Sequence, residues 1–440
     1  MSDNTKTLEN NHKNEFQLLP KDFRRTDLGW IPKDWHIVRL GNYTLRVGSG
    51  ITPKGGSKIY IEEGRPFIRS LNVGWGRLQL KNLVFISEKT HSTFNRSQIK
   101  KGDVLLNITG ASIGRSAVAD SRISEGNVNQ HVCEIRTKKN KLDSLYLNAF
   151  LITKRGQKQI DSFQAGGSRQ GLNYSQIKSF LLPLPPIEEQ RDIATALSDA
   201  DNLIESLEKL IAKKQDIKKA TMQQLLTGKK RLPGFDGKWE VKRLGDIGKP
   251  YGGLSGKTKQ DFGTGTARYI PFLNVMENVI IDTDYLDFVF LRKDEKQNKV
   301  KKGDLIFNGS SETPEEVGMC AALLDNNSEL YLNSFCIGFR LNDLSNNDCS
   351  YLAYYFRSEE GRKIMKILAQ GATRYNLSKT ALNDIEFPLP KLKEQEAIAK
   401  VLTDMDNEIE TLEQRLKKTK QIKQGMMQNL LTGKIRLNHD

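Results

Sequence analysis

Metal-binding and disulfide chemistry have little to work with in this sequence. Its 440 residues include four cysteines, Cys133, Cys320, Cys336 and Cys349, with no C-x-x-C pair, and five histidines, His12, His36, His91, His131 and His439, with no H-x-x-x-H. Those spacings argue against a structural zinc site and a disulfide framework, and leave the cysteines as small buried hydrophobes. Long apolar runs are missing as well. No window approaches the roughly 18 apolar residues needed to cross a bilayer, and the start MSDNTKTLENNHKNEF has no apolar core of a secretion signal. A soluble, cytoplasmic protein with no membrane partner is expected. Acidic residues are in the minority: 68 Lys and Arg against 53 Asp and Glu give a formal charge of +15 and a pI near 9.4. That surplus points to a polyanionic partner. With 37% apolar residues and 35 glycines the chain still has material for packed cores, and at roughly 100 to 200 residues per domain the length allows two to four folding units.

What is present is a repeat. Glu189 to Leu232 matches Glu394 to Leu437 at a constant offset of 205, the difference between 394 and 189. Within it Met222, Gln223 and Leu225 to Lys229 recur as Met427, Gln428 and Leu430 to Lys434. Landmarks recur upstream: Trp35 with Arg39-Leu40-Gly41 returns as Trp239 with Arg243-Leu244-Gly245, and Leu71-Asn72-Val73 returns as Leu273-Asn274-Val275. Lys100 to Asp103 matches Lys301 to Asp304, Asn107 matches Asn308, and Pro183-Leu184-Pro185 matches Pro388-Leu389-Pro390. The last part of each half is a near copy, whereas the preceding part shares only a skeleton. Common parts are held constant and the rest varies.

Each half mixes strands and helices. Asp103 to Asn107, Ser116 to Ala119 and Asp304 to Asn308 are short apolar runs bounded by turn formers, the pattern of strands. Ser144 to Ile160 and Ser350 to Leu368 carry helical spacing. After each Pro-Leu-Pro the apolar positions step by 4 and 3, at Ile193, Leu197, Ala200, Ile204, Leu207 and Ile211, and again at Ile398, Leu402, Met405, Ile409, Leu412 and Leu416. That is a coiled-coil seam. Two such helices of about 35 to 40 residues, each with one apolar stripe, are expected to pack against each other. Antiparallel packing is the direction that the intervening second module permits. It also brings the segment from Leu431, which no further module follows, beside the first module. The expected fold class is α/β (α+β) target modules, two per chain in pseudo-twofold repeat, separated by two long helices packed as an antiparallel coiled coil. Expected boundaries are a flexible arm over 1–28, modules over 29–182 and 233–387, and helical spacers over 183–232 and 388–440.

Catalytic motifs fare poorly. Gly252 to Thr258 resembles a phosphate loop, but Tyr251 stands where G-x-x-x-x-G-K-[ST] needs glycine, and no hydrophobic strand is expected immediately before it. Asp236 followed by Glu240-Val241-Lys242 has the look of a metal-dependent nuclease, yet its repeat mate is His36-Ile37-Val38. A methyl-donor glycine loop and an Asn-Pro-Pro-Tyr tetrapeptide are absent. No catalytic or metal-binding residues are assigned.

Loops rich in Gly, Ser, Thr, Asn, Arg and Lys remain, repeated once per module. Gly48 to Lys54 aligns with Tyr251 to Lys257, Asn107 to Arg115 with Asn308 to Thr313, and Ser168 to Asn173 with Thr373 to Ser378. Such side chains donate to phosphates and read base edges. The candidates are Thr52, Lys54, Asn107, Thr109, Ser112, Arg115, Arg169 and Gln170 in the first module, with Ser255, Lys257, Asn308, Ser310, Ser311, Arg374 and Tyr375 in the second. An alternative reading of Arg169 and Arg374 ties each to its own module.

The two Pro-Leu-Pro to Leu-Leu-Thr-Gly-Lys segments, with the two diverged modules, resemble the specificity subunit of a Type I restriction-modification system from about Gly29 to Leu437. The resemblance implies a non-catalytic chain in which each module reads one half of a bipartite double-stranded DNA target, with the helical pair setting the gap. It also implies docking of methyltransferase subunits, two of them, and of restriction and translocase subunits. S-adenosylmethionine, ATP and magnesium would then be bound by those partners, and no cofactor by this chain. Two rival readings are a stand-alone DNA-binding regulatory protein and a basic interaction scaffold.

Overall fold

The structure is a computed structural model and describes residues 21–164, 171–325, 329–371 and 374–437. It divides into two units, residues 1–207 with 415–440, and residues 208–414. Two helices, Ile187–Leu225 and Leu392–Leu430, each of 39 residues, contribute to both. Their length agrees with the heptad reading.

In the first unit a four-stranded antiparallel sheet has the spatial order Thr44–Ser49, Val132–Thr137, Val104–Asn107, Ser116–Val118. A smaller sheet pairs Arg65–Ile68 antiparallel with Val84–Ile86 and parallel with Asn127–Val128. The second unit repeats both: Gly248–Gly252, Cys336–Leu341, Leu305–Asn308 and Cys320–Ala322 form the larger sheet. Asp287–Val289, Phe262–Ile270 and Leu330–Leu332 form the smaller one. The expected strands at 103–107, 116–119 and 304–308 are thus present. Among the described residues only the first unit has such a hairpin, Phe23–Thr26 with Gly29–Pro32. This hairpin lies across the expected boundary at Gly29, and residues 1–20 of the expected arm lie outside the described residues.

Each expected helix after the sheet is two helices. Ser144–Leu151 is followed by Lys154–Ser162, and Cys349–Arg357 by Glu359–Leu368. The breaks fall at Thr153 and Ser358, whose hydroxyls cap the following helix by accepting from Gly156 N–H at 3.1 Å and Gly361 N–H at 3.3 Å. A side chain at position 361 would put its Cβ 2.2 Å from Tyr355 O, so the chain turns back on itself only with glycine there.

The landmarks of the repeat are the buried polar joints of this scaffold. Gln190 accepts from Asp143 N–H at 2.9 Å and donates to Pro185 O at 2.9 Å, and Gln395 makes the same pair of bonds with Asp348 and Pro390 at 2.9 and 2.8 Å. Asp103 is paired with Arg136 and Asp304 with Arg340, both aspartates being 1% exposed. Each satisfied buried group fixes a backbone crossing that an apolar residue could not specify.

Helix pairing is antiparallel within each unit. In the first, Ile193, Ala194 and Leu197 share a core with Leu430 and Leu431, and Asp201 binds Lys423 at 2.6 Å. In the second, Leu225 and Leu226 share a core with Ile398 and Leu402, Lys214 binds Glu408 at 2.6 Å, and Lys218 binds Asp406. The segment after each helix closes the unit it lies in. Arg436 pairs with Glu189 and with Asp34, lies over the Trp35 ring, and shares Glu189 with the Trp35 indole N–H. Arg231 does the same with Glu394 and Trp239. The expectation that the segment from Leu431 sits beside the first module agrees with this geometry.

Candidate nucleic-acid interface

Strand order decides where the variable loops go. In the first unit the register pairs Ser49 with Cys133, Val132 with Asn107 and Leu106 with Ser116. Segments 50–54, 108–115 and 129–131 therefore leave the same end of the sheet. Leu172 N–H donates to Ile108 O at 2.9 Å and Gly171 bridges Thr109, which brings the third predicted loop there too. In the second unit Gly252 pairs with Ile337, Cys336 with Asn308 and Phe307 with Cys320. Ser310 and Ser311 pair with Asn376 and Tyr375, so the same three loops meet at the same end.

The predicted residues divide by what their side chains do there. Thr52 is half-buried and its N–H donates to Gln130 Oε1 at 3.0 Å, while Lys54 is exposed. Thr109 lies 2.6 Å from His131 Nδ1, and Ser112 and Arg115 are half-buried on the same loop. Ser255 is exposed, held through its backbone by Gln297. Arg374 is exposed with its guanidinium 5.1 Å from the Phe335 ring of its own unit, and Tyr375 is half-buried beside it. Arg169 and Gln170 lie outside the described residues.

Other candidates face inward. Asn107 and Asn308 are fully buried: the first donates to Ser70 O at 2.8 Å and the second accepts from Met319 N–H at 2.6 Å. They hold the loops and do not project from them, which corrects their assignment as readers. Lys257 is corrected likewise, because its ammonium is buried on Glu295 and donates to Phe290 O at 2.9 Å. That ammonium, with Gln297 and the Arg292 N–H, draws the Glu295 carboxyl down to about 2. Ser311 is buried and donates to Glu316 at 2.6 Å, and Ser310 is buried with no side-chain partner among the described residues. Sequence reading missed Gln130, His131 and Tyr174 in the first unit and Phe335 in the second. Tyr174 accepts from Ser49 N–H at 3.0 Å. For Gln130, His131 and Phe335 the signal was the turn Asn129 to His131 and its mate Asn333 to Phe335, too short to stand out in the repeat.

Among the described residues no catalytic arrangement accompanies these loops. The strand that precedes the phosphate-loop look-alike, Gly248–Gly252, carries Lys249 and Pro250 and is not the hydrophobic strand of a phosphate loop, and a 3-10 turn at Lys259–Asp261 follows in place of the helix such a loop needs. Glu240 is spent on Lys242 at 2.8 Å. The sequence also contains a G-x-S-x-G, Gly110 to Gly114, but it forms a 3-10 turn between antiparallel strands, not a strand-to-helix elbow. All four cysteines are buried, and burial pushes the thiols of Cys133 and Cys336 up to about 12 and that of Cys349 to about 11. Among the described residues no group of three or more His, Cys, Asp or Glu could hold a metal ion, and no helix is long and apolar enough to cross a membrane.

Residues 32–217 and 236–423 each match the family described as the Type I restriction modification DNA specificity domain. The chain belongs to this family. It is a Type I specificity subunit, a non-catalytic DNA-recognition chain built from two specificity domains. The subunit is 27% identical over 441 residues to the putative type I restriction enzyme MjaX specificity subunit of Methanocaldococcus jannaschii, covering 95% of this chain and 97% of the relative. It is 22% identical over 438 residues to the EcoKI specificity subunit of Escherichia coli, covering 93% and 90%. Its fold resembles that of the S subunit of a Type I system from M. genitalium, with a TM-score of 0.59 at 14% identity over 96% of this chain and 98% of the other.

Proposed function

We propose that this specificity subunit recognises an asymmetric, bipartite DNA target, one half through the sheet-end loops of each unit. The observation that carries the reading is that two equivalent sheets deliver the same three loops to the same end and clothe them differently. Thr52, Lys54, Thr109, Ser112 and Arg115, together with Arg169 and Gln170 from outside the described residues, are assigned to the first half-site, and Ser255, Arg374 and Tyr375 to the second. The subunit works in the cytoplasm with two methyltransferase subunits and with restriction and translocase subunits. Those partners supply S-adenosylmethionine, ATP and magnesium. The +15 charge gives affinity that falls steeply with salt, while base contacts discriminate by about 1 to 3 kcal/mol each.

The decisive experiment copurifies the full chain with its methyltransferase and maps methylated adenines in genomic DNA. A split motif with two unlike halves is expected, and exchange of the module between Gly29 and Phe180 for a homologous one should alter one half only. A continuous motif, or none, would overturn the reading. Arg374→Ala should relax the second half-site and leave the first intact.

A further inference from the structure

One short turn is built identically in both units and carries different chemistry. In the first, Asn129 Oδ1 accepts from His131 N–H at 3.0 Å, and His131 O accepts from Ile108 N–H at 3.0 Å. In the second, Asn333 Oδ1 accepts from Phe335 N–H at 2.9 Å, and Phe335 O accepts from Gly309 N–H at 2.7 Å. These bonds pin the residue after the turn against the loop that carries Thr109 or Ser310. The two backbones therefore place positions 131 and 335 alike among the sheet-end loops.

The side chains differ in kind. His131 has one ring nitrogen 2.6 Å from the Thr109 hydroxyl and the other 3.3 Å from the Gln130 amide, whose oxygen holds Thr52 N–H. It is part of a polar relay that reaches two of the predicted loops. Phe335 is 54% exposed and makes no use of the hydroxyl at the equivalent place: Ser310 Oγ is buried with no partner among the described residues. Its ring is instead covered by the Arg374 guanidinium at 5.1 Å. A rigidly held, exposed phenyl under an arginine adds little to the free chain, and offers a flat apolar surface beside a bidentate donor.

We propose that positions 131 and 335 are specificity-determining: His131, with Gln130, meets a hydrogen-bonding base edge in one half-site, and Phe335, backed by Arg374, meets a thymine methyl in the other. This rests on the bipartite reading above. The chemistry follows from the donor and acceptor pattern of the major groove, in which the thymine methyl is the one apolar feature.

The test uses the full chain in complex with its methyltransferase and a pool of duplexes randomised at each position of the mapped motif. Phe335→Ala should lower methylation of the preferred sequence about 5- to 100-fold, flatten the preference at one position of the second half-site, and leave the first unchanged. Phe335→Leu, still apolar, should keep most of that preference. His131→Phe should shift the base preferred at one position of the first half-site, and His131→Gln, which retains a hydrogen-bonding edge, should shift it less. Thermal unfolding midpoints of the Phe335 variants should match the parent, since the ring is exposed. Unchanged base preferences in both Ala and Phe variants, or an equal loss on every sequence, would overturn the proposal. If the parent chain shows no split motif, the bipartite reading itself falls; a split motif indifferent to these residues sinks this inference alone.

Discussion

The two units solve the same joint in their central sheet with opposite cross-strand pairs. In the first, Gly48 faces Glu134 across the strands; in the second, Tyr251 faces Gly338. Large and small have changed sides. Around them the buried Asp–Arg pair is the same, Asp103 with Arg136 and Asp304 with Arg340, each at 2.7 Å. The first unit completes it with a second ion pair, Arg46 on Glu134 at 2.6 Å. The second completes it with an aromatic: the Tyr251 hydroxyl donates to Asp304 at 2.6 Å and Arg340 lies 5.0 Å over its ring. Identical residues mark what the fold requires, and the exchanged pair shows how much chemistry the fold tolerates around it. One solution packs a carboxylate, Glu134, against the pair, and the other a phenol, Tyr251.

Removing what is shared should cost both units alike. Asp103→Ala and Asp304→Ala each remove a buried carboxylate that accepts from a partly exposed guanidinium and should destabilise their own unit by about 3 kcal/mol, read by hydrogen exchange in Val132–Thr137 or Cys336–Leu341. A loss in only one unit would break the equivalence. The titrating difference comes next. Burial, with Asp103 nearby and Arg46 opposing, pushes the Glu134 carboxyl from 4.5 up to about 7. The folded chain then holds a proton that the unfolded chain has released, so this group's contribution to stability is full below about pH 4.5 and lost as pH rises through about 7. The fall should be on the order of 3 kcal/mol, visible in exchange of Val132–Thr137. Glu134→Gln should flatten it, and the second unit should show no counterpart. Smaller is the steric side of the comparison: a Cβ at Gly338 would sit 2.1 Å from the Tyr251 ring, so Gly338→Ala should cost about 1 to 3 kcal/mol and Tyr251→Leu should partly restore it in denaturant titrations. Smallest are the helix caps, where Thr153→Ala and Ser358→Ala should each cost about 1 kcal/mol in thermal unfolding; unequal losses would show that the two helix breaks are not equivalent.

Much of the scaffold was legible because it is written twice. The heptad seam carries its own period, and two helices of the expected length follow from it. The position of the segment from Leu431 beside Trp35 follows from chain connectivity, without any contact being known. The helix breaks were hidden, since Ile152 and Arg357 continue the helical spacing and only Thr153 and Ser358, ordinary residues in a helix, mark the stops. The interface was half legible. Loops could be chosen by composition, but polarity alone cannot say whether a side chain faces solvent or its own backbone, and Asn107, Asn308 and Lys257 were misread for that reason. The repeat contained a correction: residues unchanged between the copies, such as the two asparagines, belong to the scaffold, while His131 and Phe335 differ at one shared place. Reading them needed strand register, which brings residues 22 apart, Thr109 and His131, within 2.6 Å.

The bond from Arg436 to Asp34 spans 402 residues, and this sets an order of events during synthesis. The second unit, residues 208–414, has all its chain before residues 415–437 of the first exist. At about 5 to 20 residues per second, Trp35 waits roughly 20 to 80 s, and Glu189 roughly 12 to 50 s, for the arginine that covers them. The half of the protein made first is thus finished last, and a ribosome that stops short of Arg436 releases a chain whose first reader is still open at its base.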